Sequence, residues 1–339
     1  MISIVDLEKR LSEQKLSSMY LFWGEEKYIL DNCVKKIMKL FGTIVKGINY
    51  ISIDESNIQE IISDIETPAF GFDKKLIVAR NTGLFKKQGK KKNIELEKLK
   101  EKIEAYISNN IEEMSESIVL IFIEEEAEKS KLLDIVEKNG IICKFDEQKP
   151  LELQKRLKYI CDMYRVNIDN STLQYFIECC GTNMQILINE IRKLIEYVGT
   201  NGIIKKEDID KLSIRQIESI IFDLTDSLGQ KNVSKALEVL HNLIYTKEPI
   251  QKILITLYNH FKKLYIVKLC VKYNKDVIPA LKLKPNQTFL VNKYKNQSKL
   301  FTEENLEIII NELIDLDYKY KIGLIDIDIG LEAILCAYI

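Results

Sequence analysis

The stretch Thr67-Pro68-Ala69-Phe70-Gly71-Phe72-Asp73-Lys74-Lys75-Leu76-Ile77-Val78 decides how the rest of the chain is read. Its second half is a short apolar run, Leu76 to Ala79, followed by the turn-prone Asn81-Thr82-Gly83. Such a run bounded by turn residues predicts a buried strand. Its first half sets two phenylalanines around a glycine and behind a proline. Pro68 blocks helix continuation and biases Thr67 to an extended shape. Gly71 frees the backbone between the rings. Composition alone favours burying Phe70 and Phe72, since phenylalanine is usually inside. The local sequence also allows the aromatics to be presented on a turn at a sheet edge.

Outward from this strand the same pattern repeats. Upstream lie a short helix opened by Ser3-x-x-Asp6, a strand ending in glycine at Met19–Gly24, and a helix from Glu26 to Leu40. A strand at Asn49–Ile53 and a helix at Ile58–Ile65 follow. Downstream come the lysine-heavy loop Lys86–Lys92, a charged helix near Ile94–Ile107, a strong strand at Ser117–Ile123, a helix at Lys131–Lys138 and a last strand at Ile141–Phe145. Strands alternating with helices predict an α/β domain, a parallel sheet covered on both faces, over residues 1–150. From Leu151 on, only helical periodicity is seen. Residues 151–215 read as a small helical domain punctuated by Gly181 and Gly199, with a hinge near Ser213–Gln216. Residues 216–339 read as a second all-α domain. In it Pro249 starts a long helix, Thr302 caps another, and Pro279 and Pro285 mark a looser segment.

Charged residues make up 30% of the chain and nearly cancel, leaving a formal net charge of −1. No global basic field grips nucleic acid. The seven cysteines are scattered and form no C-x-x-C, which predicts reduced thiols and a cytoplasmic setting. Two histidines, both in helical patterns, make zinc sites and histidine-based catalysis unexpected. Charges interrupt the N-terminal residues, so no signal peptide is expected, and no eighteen-residue apolar run predicts a membrane span.

The first strand runs through Gly24 into a helix, the junction at which a P-loop would read G-x-x-x-x-G-K-[ST]. There the glycines let backbone N–H groups wrap phosphates, the lysine neutralises them and the hydroxyl holds magnesium. Here the residues are Gly24-Glu25-Glu26-Lys27-Tyr28-Ile29-Leu30-Asp31. The second glycine is missing, the lysine is misplaced, and two glutamates set negative charge where phosphate would lie. The strand Leu76–Ala79 should end in an acidic pair for magnesium but ends Arg80-Asn81. Glu124-Glu125-Glu126 reads as a solvated strand end. No catalytic site, cofactor or metal is expected.

With these residues in view, the chain resembles the delta-subunit family of bacterial DNA polymerase III clamp loaders. The resemblance rests on Tyr20-Leu21-Phe22-Trp23-Gly24-Glu25-Glu26 before a helix and on Thr67 to Ile77. Gly181-Thr182-Asn183 leading into Asn189-Glu190-Ile191-Arg192-Lys193-Leu194, and Ile221-Phe222-Asp223-Leu224-Thr225-Asp226, extend it. It implies an AAA+-like sheet domain, a small helical lid and a C-terminal helical collar that packs against other loader subunits, delta prime and tau/gamma. It further implies a subunit of the polymerase III holoenzyme, with no catalytic site of its own, that binds and opens the sliding clamp (the beta subunit) on primed DNA without binding ATP. The family's clamp-binding element falls on Pro68, Ala69 and Phe70, with Phe72 beside them. Many members carry a bulky aliphatic residue before the key phenylalanine; Ala69 is smaller, which shifts contact toward Pro68 or Phe72. The basic run Lys86, Lys87, Lys90, Lys91 and Lys92 reads first as a solvated loop and second as a contact to DNA phosphates. Two other readings stand beside this one. One is an active nucleotidase of the same architecture. The other is a helical adaptor outside replication with a degenerate nucleotide-binding domain.

Overall fold

Five apolar runs build the sheet of the first unit. In the computed structural model they are β1 (Met19–Trp23), β2 (Tyr50–Ile53), β3 (Lys75–Arg80), β4 (Ile118–Glu124) and β5 (Ile141–Lys144). All pair in parallel, in the order β2-β3-β4-β1-β5. Register sets Met19 beside Leu120 and Lys75 beside Ile118. Every residue of β1 and β4 is buried, as expected of parallel strands covered on both faces. The structure describes residues 1–86, 94–245, 248–283 and 287–337, which divide into two units, Met1–Glu147 and Gln148–Ile339.

The helices of the first unit are α1 (Ile4–Ser12), α2 (Lys27–Phe41), α3 (Ile61–Glu66, entered through one 3-10 turn at Ile58–Glu60), α4 (Ile94–Ser117) and α5 (Lys131–Asn139). Ser3 caps α1 by accepting from the Asp6 amide at 3.1 Å. The expected helix from Ile94 to Ile107 is longer: α4 runs on to Ser117 with a break at Asn110, where φ is −116°. Ile61 and Ile65 of α3 share one apolar core with Ile77 and Ala79 of β3 and with Leu120 and Phe122 of β4.

The chain leaves β1 toward β2 on one side of the sheet and leaves β4 toward β5 on the other. The connections therefore diverge between β1 and β4. In open parallel sheets that point, at the carboxyl ends of the strands, is where ligands sit.

Among its described residues the second unit is helical apart from one isolated bridge, Asn167 to Ile203. Its first four helices are α6 (Pro150–Met163), α7 (Asn170–Cys180), α8 (Met184–Val198) and α9 (Lys206–Leu212). Asp169 and Asn183 cap α7 and α8, and Gly181 and Gly199 end them at φ values of +82° and +71°. The segment expected as a hinge is tied down. The Gln216 amide donates to the Cys179 carbonyl at 2.9 Å, Ile214 N to Glu190 Oε2 at 2.8 Å, and Arg215 pairs with Asp223 at 2.7 Å.

Among the described residues seven further helices follow: α10 (Ile217–Gly229), α11 (Val233–Tyr245), α12 (Ile250–Lys272), α13 (Val277–Leu281), α14 (Leu290–Ser298), α15 (Glu303–Lys321) and α16 (Ile327–Ala337). They surround a single apolar core. Helix α14 lies where a looser segment was expected. Its inner face is partly polar: Gln297 and Ser298 are buried. The Gln297 side chain donates to the Phe222 carbonyl and to Asp226, and its oxygen meets His260 at 2.8 Å. Apolar periodicity cannot reveal a helix that packs through hydrogen bonds. His260 sits among Phe222, Phe261 and Tyr294, and burial drives its pKa down to about 3, so it is neutral.

Candidate functional site

Two special regions lie at opposite ends of β3. At its amino end, α3 stops at Thr67, whose amide and hydroxyl both bond the Ser63 carbonyl, at 3.0 and 2.7 Å. Pro68 follows, and the chain makes a tight turn over Ala69-Phe70-Gly71-Phe72. The Phe72 amide donates to the Ala69 carbonyl at 2.9 Å, and Gly71 has φ +80°. Positive φ at the third residue alone is the demand of a type II turn, which glycine meets without strain. Phe70 therefore occupies the corner, and its side chain is 88% exposed. Pro68 is also exposed, while Ala69 and Phe72 are half-buried. The expectation from composition that Phe70 is a core residue is thus corrected: the corner of a two-residue turn turns it away from the sheet. The turn precedes β3, an inner strand with β2 and β4 on its flanks, and so sits at the end of the sheet, not along its edge.

Lys75, which sequence reasoning missed, underlies this turn. It is only 3% exposed. Its ammonium donates to the Asp64 carbonyl at 2.7 Å and to the Thr67 carbonyl. Burial pushes its pKa down, opposed by the charge of Asp64. The signal was available: Lys75 is in phase with the core residues Ile77 and Ala79, so a period-2 reading puts a cation on the buried face.

At the carboxyl ends of the strands the phosphate junction is filled from within the chain. Gly24 keeps φ +128°, but a Cβ there would stand 2.3 Å from the Phe145 carbonyl oxygen. The glycine serves a close approach to the end of β5. The Glu26 amide, which a phosphate-binding loop would turn to its ligand, donates to that same carbonyl at 2.9 Å. Ile29 and Leu30, at the positions of the second glycine and the lysine, are buried. Asp31, at the hydroxyl position, pairs with Arg80 from the end of β3 at 2.9 Å. The two groups that would share a magnesium ion are replaced by an ion pair. Being half-exposed, it contributes only about 0–1 kcal/mol.

Glu124 corrects a second expectation. It is not a solvated strand end but is 0% exposed. Its Oε1 accepts from the Thr82 amide at 3.0 Å and from the Thr82 hydroxyl at 2.5 Å, while Oε2 has no partner. Burial pushes its pKa up, against the Thr82 hydrogen bonds. Glu124 continues the face of Ile118, Leu120 and Phe122 into the core, again a period-2 signal. Glu125, one residue on, is exposed and pairs with Lys86 at 3.1 Å. The ammonium of Lys86 is thereby engaged; Lys87, Lys90, Lys91 and Lys92 lie outside the described residues.

Two family models match the chain. "DNA polymerase III, delta subunit" covers residues 20–146, and "DNA polymerase III delta subunit, C-terminal domain" covers 218–338. The chain belongs to the DNA polymerase III delta-subunit family. Consistent with this, it is 24% identical over 341 residues to the DNA polymerase III subunit delta of Bacillus subtilis (strain 168), covering 98% of this chain and 96% of that protein. It is 28% identical over 315 residues to an Aquifex aeolicus (strain VF5) protein named "Probable DNA polymerase III subunit delta", covering 88% and 85%. The solved Bacillus subtilis DNA clamp loader delta protein superposes with a TM-score of 0.69 at 22% identity, over 99% of both chains. The shared fold is a parallel five-stranded α/β domain followed by helical domains. As a member of the DNA polymerase III delta-subunit family, the chain is a DNA-replication protein. Among its described residues no helix is long and apolar enough to cross a membrane.

Proposed function

We propose that this delta subunit binds the sliding clamp through Phe70, with Pro68, Ala69 and Phe72 around it, and helps to open the clamp for loading on primed DNA. The observation that carries this reading is a phenylalanine held in water at the corner of a tight turn. Fixing the turn in advance lowers the ordering cost of binding. Burying the ring in an apolar pocket stabilises a complex by roughly 1.5–3 kcal/mol. The subunit need not pull the clamp apart. It need only prefer the open interface to the closed one, because differential affinity alone shifts an equilibrium.

On this reading the chain itself binds no ATP. Support comes from the carboxyl ends of the strands, where an ion pair, a spent backbone amide and buried apolar residues take the places of the phosphate-binding groups. Neighbouring subunits, delta prime and tau/gamma, supply the ATP chemistry and meet this chain through a collar at residues 216–339, with residues 151–215 as the lid. Loading takes place in the cytoplasm, at the replisome. Contact with DNA phosphates falls to Lys87, Lys90, Lys91 and Lys92 more than to Lys86, whose charge Glu125 already answers. Reversing the charge of those four is expected to flatten the salt dependence of DNA binding by the assembled loader.

The deciding experiment is a titration of the full-length chain against the sliding clamp of the same organism. Phe70→Ala is expected to weaken binding about tenfold or more, as truncation of a central aromatic anchor does. Unchanged affinity would overturn the assignment.

A further inference from the structure

The turn that carries Phe70 stands beside open space. A cleft of about 430 Å³ is bordered by Thr67, Pro68, Ala69 and Phe72 on the turn and by Tyr106 and Met114 of α4. Side-chain packing on that flank therefore does little to fix the turn's direction, and hydrogen bonds must. Within the turn these are local: Thr67 to Ser63 and Phe72 to Ala69. Each joins residues three or four positions apart, so they shape the turn without orienting it on the domain. One side chain reaches across. Lys75, the first residue of β3, sends its ammonium to the Asp64 carbonyl in the last turn of α3 and to the Thr67 carbonyl at the entry to the turn. β3 itself is locked into the sheet by pairing with both β2 and β4.

We propose that Lys75 is a positioning residue, a buried cation that clasps the end of α3 and the entry of the turn to the sheet, so that Phe70 is presented in one direction. This rests on the reading of Phe70 as the clamp anchor. The chemistry suits the task. A helix leaves its last carbonyls without internal partners, and the negative end of its dipole favours a cation there. An ammonium with three donors answers two carbonyls at once, and a neutral aliphatic side chain of the same length answers neither. Because the cation is buried, salt weakens the clasp much less than it would a surface pair. Truncating it frees the turn to sample orientations in which the ring misses its pocket, and the apparent affinity falls by the fraction that remains competent.

The test is a double-mutant cycle on the full-length chain with the sliding clamp as probe. Lys75→Met is expected to weaken clamp binding by roughly fivefold to tenfold. In a Phe70→Ala background the same change is expected to cost less than twofold, because no anchor is left to aim. Lys75→Arg is expected to restore most of the affinity. A 4-fluorophenylalanine at position 70 supplies a direct readout: one sharp 19F line in the otherwise unchanged chain, broadened or split with Lys75→Met. Should Lys75→Met fail to fold, Lys75→Gln, which keeps two N–H donors, takes its place in the cycle and is expected to weaken clamp binding by a smaller factor, again only when Phe70 is present. Lys75 variants that lose stability yet bind the clamp with parental affinity, or that weaken it equally without Phe70, overturn the proposal. If Phe70→Ala itself leaves affinity unchanged, the clamp-binding reading fails first. If Phe70→Ala weakens binding and Lys75→Met does not, only the clasp fails.

Discussion

The two ends of β3 break the same rule in opposite ways. Before its first residue an aromatic side chain, Phe70, stands 88% exposed; beyond its last, a carboxylate, Glu124, packs at 0% exposure against Thr82. Both invert the usual placement of apolar and charged groups. They differ in whether the chain itself compensates. Glu124 is answered within the molecule at one oxygen, Oε1, by the amide and hydroxyl of Thr82, while Oε2 stays buried without a partner. Its oddity is thereby structural, a tie between the ends of β3 and β4. Among the described residues nothing covers Phe70, while the turn around it is bonded into shape. A rule broken and repaired internally points to the fold, and one broken and left open on a shaped support points outward to a partner.

That distinction can be broken at either end. The largest effect is expected at Gly24, where φ is +128° and a Cβ would collide with the Phe145 carbonyl. Gly24→Ala combines backbone strain with overpacking and is expected to lower the unfolding free energy by about 3 kcal/mol or more; chemical denaturation measures it. Full stability in this variant would mean that the junction is loosely closed after all. Next, Thr82→Val removes the hydroxyl bond to a buried carboxylate and is expected to cost about 1.5–3 kcal/mol of stability, with clamp affinity unchanged. Phe70→Ala should show the reverse pattern. It loses about 1.4 kcal/mol or more of clamp binding, while its unfolding midpoint stays where it was, because the ring buries almost nothing in the free chain. If either variant moved both readouts together, the two ends would not be separable.

The smallest effect is a dependence on pH. Burial raises the folded pKa of Glu124 above its ordinary value of 4.5. The folded state then holds the proton more tightly than the unfolded chain. The associated stability is complete below the unfolded value and is lost as pH rises through the raised folded value. Glu124→Gln cannot titrate. The stability difference between the parent chain and this variant should therefore shift against the parent as pH climbs through that window, followed as denaturation midpoints at stepped pH. A difference that stays flat with pH would show Glu124 to be hydrated.

Much of this architecture was legible in the chain. The apolar runs at Tyr20–Trp23, Leu76–Ala79 and Ser117–Ile123 predict buried parallel strands, and each is one, with Ser117 itself ending α4. Caps such as Ser3 and Thr302 start helices where expected because their side chains bond amides only three residues away. The missed features share a cause. Helix α14 packs through Gln297 and Ser298, and Glu124 and Lys75 are polar residues drawn onto buried faces. In each case a distant partner answers the polar group: Phe222 for Gln297, Thr82 for Glu124, Asp64 and Thr67 for Lys75.

Residue order alone determined the sheet-and-helix alternation, the loss of the phosphate-binding signature at Gly24–Asp31, and the odd turn at Pro68–Phe72, because these depend on periodicity and backbone chemistry between near neighbours. Only the tertiary structure decided that Phe70 faces water, that Asp31 and Arg80 close the junction, and that Lys75 lies beneath the turn. Each of those outcomes depends on groups many residues apart meeting at one end of the sheet, and burial is a property of that meeting rather than of any residue in it.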